Sequence, residues 1–508
     1  MTVMPGRAES YWMDSTDSTG YPSLGGDLQV DVAVIGGGIV GICTAWELVR
    51  AGRSVAVVEA DRIVAGTTGY TTAKLTSLHT RIYARLASSL GPEAARLYAT
   101  SQQDALGHVQ TVAAELGVDC DLEWRPAFTY TTAEDGVDAL RAEAEAAYDA
   151  GLPASFVTES SLPFPIAGAV RVDGQAQFHP RKYLLAVAAD VVRRGGQIFE
   201  RTRVMGLDEG EPCRLTTEAG QTVTARDVVV ATHYPVFDRA LLFTRLVPRR
   251  ELVVAAVIPA ADDPQGLFIT QEDNTRSVRT APYEPGRRLL IVTGEHFTPG
   301  SPDVSARLQR LTAWTRRTFD VESIPYHWAA QDNESTDGVP FVGPLHLGAD
   351  HTWVAAGFGG WGMTNGVMAS RLLAAQIAGG VQPPWADFYT PKRVHPLVEA
   401  PAFVKAGAQV AKHFVADRFR SSHVDSVDDV APGAGAVLRV GGQRCAVHRD
   451  DDGKLHAVSA TCTHLGCTVG FNDAEKTWDC PCHGSRFDVD GAVLHGPATR
   501  ALEPRDVS

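Results

Sequence analysis

Two short loops near the C-terminus, Cys462-Thr-His464 and Cys480-Pro-Cys482-His483-Gly-Ser485, each carry a thiol beside an imidazole. Fifteen residues separate His464 from Cys480, so the intervening chain must fold back and bring two loop tips to one point. Thiolate and neutral imidazole together suit an iron–sulfur site, with Cys462 and Cys480 on one iron and His464 and His483 on the other. Such a [2Fe–2S] cluster carries less thiolate charge than an all-cysteine one, which raises its potential. Structural zinc is the competing reading. Zinc ribbons and fingers repeat one spacing, C-x2-C or H-x3-5-H, whereas here C-x-H is followed by C-x2-H. The unequal spacing favours the cluster.

The stretch from about residue 420 to the end, with CTHLGC, CPCHGSRFD and HGPATRALEP, resembles a Rieske domain throughout. That resemblance implies an all-β domain, with Cys467 and Cys482 tied by a disulfide across the two loops. It also implies that Ser485 donates to a bridging sulfide and that Gly496-Pro497 forms a loop covering the cluster. Related domains carry a tyrosine two residues after that serine, and here the position is Phe487. With one hydroxyl donor missing, the reduced cluster is less stabilised, and a potential below that of the quinol-oxidising type is expected.

The second constraint lies at the other end. Asp31-Val-Ala-Val-Ile35 is a short apolar run that meets Gly36-Gly37-Gly38-Ile39-Val40-Gly41 and then the helix-like ICTAWELVRAG. A second run, Ser54-Val-Ala-Val-Val58, ends in Glu59, 18 residues after Gly41. In such a strand–turn–helix–strand unit Gly36 permits the turn, Gly38 admits a pyrophosphate, and Gly41 lets the helix pack on the strand. Free N–H groups at the helix start favour the phosphate charge, and Glu59 is placed to accept from ribose hydroxyls.

The fingerprint alone does not separate FAD from NAD. Further segments do: Gly66-Thr67-Thr68-Gly69-Tyr70-Thr71-Thr72-Ala73-Lys74, then TDGVPFVGP at 336–344, then Gly357-Phe358-Gly359-Gly360-Trp361-Gly362-Met363-Thr364 leading into a helix. With Phe178-His179-Pro180 and Asp227–Thr232, they resemble the D-amino-acid-oxidase-type flavoproteins, which include glycine and sarcosine oxidases, over roughly residues 25–385. The resemblance implies FAD, wrapped by the run containing Thr67, Thr68 and Thr72. It also implies that the turn containing Gly357, Gly359, Gly360, Gly362, Met363 and Thr364 meets the isoalloxazine edge. The whole chain resembles a subgroup in which such a flavoprotein carries a C-terminal Rieske domain.

The expected architecture is α/β, a Rossmann-like FAD-binding domain with an interleaved α+β substrate domain, followed by the all-β Rieske domain. FAD-binding segments are expected at about 25–80, 170–235 and 330–385, and the substrate domain at about 81–169 and 236–329. Residues 386–419 form a linker with a connecting helix at Ala402–Phe419, and 420–508 form the cluster domain. With 508 residues, 44% hydrophobic and 21% charged, the chain can bury several cores. A net charge of −14 argues against nucleic acid. No apolar stretch approaches a membrane span of about 20 residues, and the first thirty residues lack a signal pattern. A cytoplasmic location is therefore expected.

Candidates for binding or activating a substrate are Lys74, His79, Tyr283, Arg249 and Arg250, with Lys74 foremost because it follows the flavin-wrapping run. Trp361 suits either the flavin edge or packing, and His179 and His233 are expected to be structural. The cofactor pair points to a dehydrogenase oxidising an amine or amino-acid-like C–N bond and passing electrons singly through the cluster to a carrier protein or quinone. Alternatives are a reductase running the other way and a non-catalytic redox module. A Rieske oxygenase is disfavoured because no segment supplies a mononuclear iron triad.

Overall fold

The computed structural model describes residues 4–237, 239, 242–272, 274–393, 395 and 426–507. The connecting helix expected at Ala402–Phe419 lies outside them.

The valine-rich runs read from the sequence form the centre of an eight-stranded sheet. Leu28–Ile35 is flanked in parallel by Val55–Val58 on one side and Thr222–Val230 on the other, with Gln197–Phe199 and Thr352–Ala356 extending the two directions. Such strands tolerate β-branched residues on both faces because both faces are covered, one by helices and the other by the antiparallel strands Val204–Asp208 and Cys213–Thr217 with Leu242 and Leu345. Helix Ile39–Arg50 packs between Pro180–Arg193 and Gly362–Ala378. The carboxyl ends of the central strands therefore open on one edge, where a doubly wound sheet binds its ligand.

A second, ten-stranded sheet holds the long antiparallel strands Leu246–Pro259, Arg287–Phe297 and Ser323–Ser335. Helix Val137–Asp149 packs on Ala154–Val157 and Gly168–Gln177 of this sheet, and Pro92–Leu116, ended by Gly117 in the left-handed conformation, runs between it and Gly362–Ala378. Two strands cross the segment limits read from the sequence. Gly168–Gln177 and Ser323–Ser335 both begin in this sheet and deliver the chain into the other. Alternating burial along a strand does not report which of two stacked sheets it joins.

The C-terminal domain is all-β. A three-stranded sheet spans Gly435–Val440, Gln443–Arg449 and Leu455–Ser459, and a four-stranded sheet spans Gly470–Asn472, Thr477–Asp479, Arg486–Phe487 and Val493–His495. Trp478 and Phe487, both fully buried, fill its core. This domain is docked on the N-terminal body. Gly300 and Gly470 meet back to back, and a Cβ on Gly470 would stand 2.4 Å from the Gly300 carbonyl oxygen. Gln331 donates to the Gly484 carbonyl at 2.8 Å, and Arg250 reaches across to Glu475 and Asp479. No described helix is long and apolar enough to cross a membrane.

Candidate active site and cluster centre

The glycine turn is built for close approach. Gly36 has φ +104°, and a Cβ there would stand 2.5 Å from the Ala231 carbonyl oxygen. A Cβ on Gly41 would fall 1.9 Å from the Gly36 oxygen, so the helix approaches the turn this closely only because Gly41 lacks a side chain. Gly38 differs: the only atom near its Cβ position is Thr68 Oγ1, at 3.2 Å. It faces a cavity of about 560 Å³ lined by Gly36, Gly38, Glu59, Thr67, Thr68, Thr72, Gly360, Gly362 and Met363. Glu59 accepts from the Gly37 and Asp61 N–H groups at 2.7 and 2.9 Å, and burial raises its pKa. Glycine backbone, helix N-terminus and a half-buried carboxylate converging on one cavity fit a dinucleotide.

A second cavity of about 370 Å³ adjoins the first and shares Thr72, Arg249, Glu251, Phe358, Gly360 and Met363 with it. Gly357 and Gly359 line this one. Lys74 enters it from a short strand, buried, and donates to the Phe268 carbonyl at 2.7 Å and to Ser277 Oγ. Burial, aided by repulsion from Arg279, lowers its pKa to about 7. His79 stacks on Trp361 with ring centroids 4.6 Å apart, and burial lowers its pKa to about 3, so it is neutral. Arg249 pairs with Glu251 at 3.0 Å on the cavity wall.

Several sequence candidates stand elsewhere. Thr364 lines neither cavity; its hydroxyl is turned back to the Thr76 carbonyl at 3.0 Å, because the first helical turn directs it into the core. Gly41 lies behind the cradle as a packing contact. Arg250 follows Arg249 on a strand, so it points to the opposite face, into the C-terminal domain. Tyr283 packs against Tyr11 away from both cavities. His179 caps its helix, Nδ1 accepting from the Lys182 N–H at 3.2 Å. His233, expected to be structural, instead lines the larger cavity.

At the other centre the two loops do meet. Cys462 and Cys480 are buried and share a hydrogen bond, which draws Cys462 down to about 7 and pushes Cys480 up. The His464 and His483 rings stand 5.0 Å apart and perpendicular, and burial lowers their pKa values to about 4 and about 3. Both imidazoles are thus neutral, and His464 Nδ1 and His483 Nε2 are buried with no hydrogen-bond partner. Two thiols and two imidazoles with orphaned nitrogens are the donor set a [2Fe–2S] cluster satisfies. The sulfurs of Cys467, Cys480 and Cys482 lie within 4.8 Å of one another, but Cys467 and Cys482 are joined as a disulfide. Ser485 accepts from the Ala498 N–H at 3.0 Å and also reaches Cys462, whereas Phe487 brings no hydroxyl.

Residues 31–376 match the FAD dependent oxidoreductase family (DAO), and residues 421–505 match the Rieske [2Fe-2S] domain. The chain is an FAD-dependent oxidoreductase with a C-terminal Rieske domain. It is 34% identical over 500 residues, 98% of each chain, to YhfW of Bacillus subtilis (strain 168), named there as a Rieske 2Fe-2S iron-sulfur protein. Gamma-glutamylputrescine oxidoreductase of Escherichia coli (strain K12) is 24% identical over 75% of this chain and 91% of its own. Glycine oxidase from Geobacillus kaustophilus superposes with a TM-score of 0.60 at 20% identity, covering 72% of this chain and all of its own.

In this flavoprotein the Rieske domain contributes to the wall of the flavin cavity. Leu494, His495, Gly496, Ala498 and Thr499 form part of its wall. The ring of Tyr234, from the flavoprotein side, lies 6.4 Å from that of His464 and 6.0 Å from that of His483, and Phe243 lies 5.7 Å from His483. His233 Nδ1 lies 3.2 Å from His495 Nε2, and its Nε2 lies 3.3 Å from Asp332. His495 and Asp332 were not legible as site residues, since they stand in unremarkable strands; the only sequence cue was that His495 precedes the Gly496-Pro497 loop.

Proposed function

We propose that this FAD-dependent oxidoreductase is a dehydrogenase that oxidises an amine or amino-acid-like C–N bond and sends the electrons through its own Rieske cluster to an external one-electron carrier. One observation carries the reading: the cluster domain supplies part of the wall of the flavin cavity, so the two domains meet at one shared cavity. The units are taken as 25–385 for the flavoprotein, 386–419 for the connector and 420–508 for the cluster domain.

Bound FAD would supply the two-electron acceptor that also releases electrons one at a time. Gly36, Gly38, Glu59, Thr67, Thr68 and Thr72 would hold it, with Gly357, Gly359, Gly360, Gly362 and Met363 along its reactive edge. Cys462, Cys480, His464 and His483 would hold the cluster. The smaller cavity would then receive the substrate. Lys74, with its pKa near 7, is suited to take a proton from a substrate ammonium and leave the neutral amine that C–N oxidation requires. Arg249 offers a cation to a substrate carboxylate, and Trp361 stacked on His79 forms a rigid wall. A polar cavity of this size supports catalysis over a purely electron-carrying role.

The names of two relatives, an oxidoreductase of gamma-glutamylputrescine and a glycine oxidase, support the C–N substrate class. Leu465, 45% exposed beside His464, marks the outer face at which a carrier would meet the cluster. The missing hydroxyl at Phe487 supports a carrier of lower potential than the quinol-oxidising type serves. The test is product formation from amines and amino acids with either dioxygen or a one-electron dye as acceptor. Turnover with the dye that exceeds turnover with dioxygen, and that is lost in Cys462→Ser, is expected; equal turnover in that variant contradicts the path through the cluster.

A further inference from the structure

A continuous hydrogen-bonded chain crosses from the flavin cavity into the Rieske domain. The Gly360 N–H, in the late glycine turn, donates to Asp332 Oδ2. Asp332 Oδ1 faces His233 Nε2 at 3.3 Å, and His233 Nδ1 faces His495 Nε2 at 3.2 Å. Asn333 Nδ2 also borders the His233 ring, at 3.2 Å. His233 is held at φ +65°, a left-handed conformation that a non-glycine residue adopts only where its surroundings impose it. That turn, just after strand Thr222–Val230, is what aims the imidazole into the cavity.

An iron–sulfur cluster accepts one electron at a time. Reduced flavin that surrenders two electrons in this way must also surrender a proton, and some group has to receive it. Among the described residues lining the flavin cavity, His233 and His495 are the imidazoles, and both stand at the boundary with the Rieske domain. His79, in the adjoining cavity, is already engaged by Tyr98 and the Thr76 carbonyl.

We infer that Asp332, His233 and His495 form the proton relay that accompanies electron passage between flavin and cluster. The inference rests on the proposed path of electrons through the cluster. In the oxidative direction, each reduced flavin loses two electrons and one N–H proton. The electrons reach the cluster in turn and leave to the one-electron carrier, and the proton passes to His233 and on through His495 or Asp332 to solvent. Asp332 holds the His233 ring in line, as a carboxylate does for a transferring imidazole. The charged groups facing the pair are Asp332 from the large sheet, Arg203 and Arg249 across the cavity, and Arg250 and Arg486 behind His495. His233 is a positioning and proton-transferring residue here; it does not bind substrate.

The holoenzyme is fully reduced by light under anaerobic conditions, and its cluster is oxidised by a pulse of a one-electron dye. Refilling of the cluster from the flavin is then followed in H₂O and D₂O. His233→Gly suits the left-handed backbone and removes only the ring. Refilling should slow by about a hundredfold in that variant, the low end of what a positioned proton acceptor contributes. Added imidazole should restore it together with the solvent isotope effect, and Asp332→Asn should slow it in the same sense. The magnetic interaction between flavin radical and reduced cluster, which reports their separation, should match wild type in both variants. An unchanged refilling rate in His233→Gly, or a slowed one that imidazole leaves unrestored while the magnetic interaction shifts, overturns the relay. Wild-type protein whose cluster is not refilled overturns the electron path and the relay with it.

Discussion

Arg250 Nη1 lies 3.2 Å from Oδ2 of Asp479, and both side chains are completely buried although one belongs to the flavoprotein body and the other to the Rieske domain. Glu475 accepts from the same guanidinium, and Arg486 reaches both carboxylates. The neighbouring Arg249 faces the cavities, so a single strand carries a cavity-lining cation and the cation of the domain joint on its two faces.

Breaking a buried pair while leaving its carboxylates behind costs about 3–5 kcal/mol. Arg250→Met should therefore weaken the docking of the Rieske domain on the body, read at neutral pH as a reduced magnetic coupling between flavin radical and cluster. The pH dependence has a definite sign. Burial opposes ionisation of Glu475, but Arg250 and Arg486 outweigh it and hold the pKa at about 2. A depressed carboxylate stabilises the docked state above its ordinary value near 4.5 and loses that contribution as pH falls toward 2. Acid undocking should fall in that window, and Arg250→Met should move it upward. Identical acid profiles would count against the joint.

Gly38→Val should yield folded protein without flavin. The protein itself leaves room at this position, Thr68 Oγ1 being the single near atom, yet the new side chain occupies the space a pyrophosphate needs. Absorbance and melting temperature check this together: loss of the yellow chromophore with an intact cluster spectrum is expected, and normal flavin content refutes the placement.

Lys74→Met tests the substrate cavity. With a pKa near 7, the wild-type amine charges below neutrality, so flavin reduction by substrate should fall as pH drops through 7. The variant should reduce more slowly, by about a hundredfold, without that inflection. Stability carries its own sign. The folded state binds fewer protons than the unfolded between about 7 and 10.5, so wild-type stability rises with pH across that range, and the rise should flatten in the variant.

Cys462→Ser or His483→Ala should remove the cluster and leave flavin bound, since the flavin cradle is built almost wholly from the N-terminal body. A Rieske-type paramagnetic signal persisting in either variant would overturn the ligand assignment.

The cluster loops and the glycine fingerprint were legible because their chemistry is local: ligand, turn and helix start lie within a few residues of each other. The joint was not. Arg250 finds Glu475 and Asp479 more than 220 residues away, and the sequence offered it only as another cation for a substrate. His233 was read as structural for the same reason, because His495 lies 262 residues further on. Thr364 shows the opposite case: adjacency to the glycine turn suggested a cofactor contact, and the hydroxyl is turned to the Thr76 carbonyl instead, which leaves the backbone of that turn to face the cavity.

The most direct test mixes purified holoenzyme anaerobically with a panel of amines and amino acids, following flavin absorbance and the cluster's paramagnetic signal together. The account predicts that one compound bleaches the flavin and that the cluster signal then rises within the same molecule. Flavin that no compound in the panel reduces, but that is reduced once a ferredoxin-like donor has filled the cluster, would contradict it and reverse the direction of electron flow.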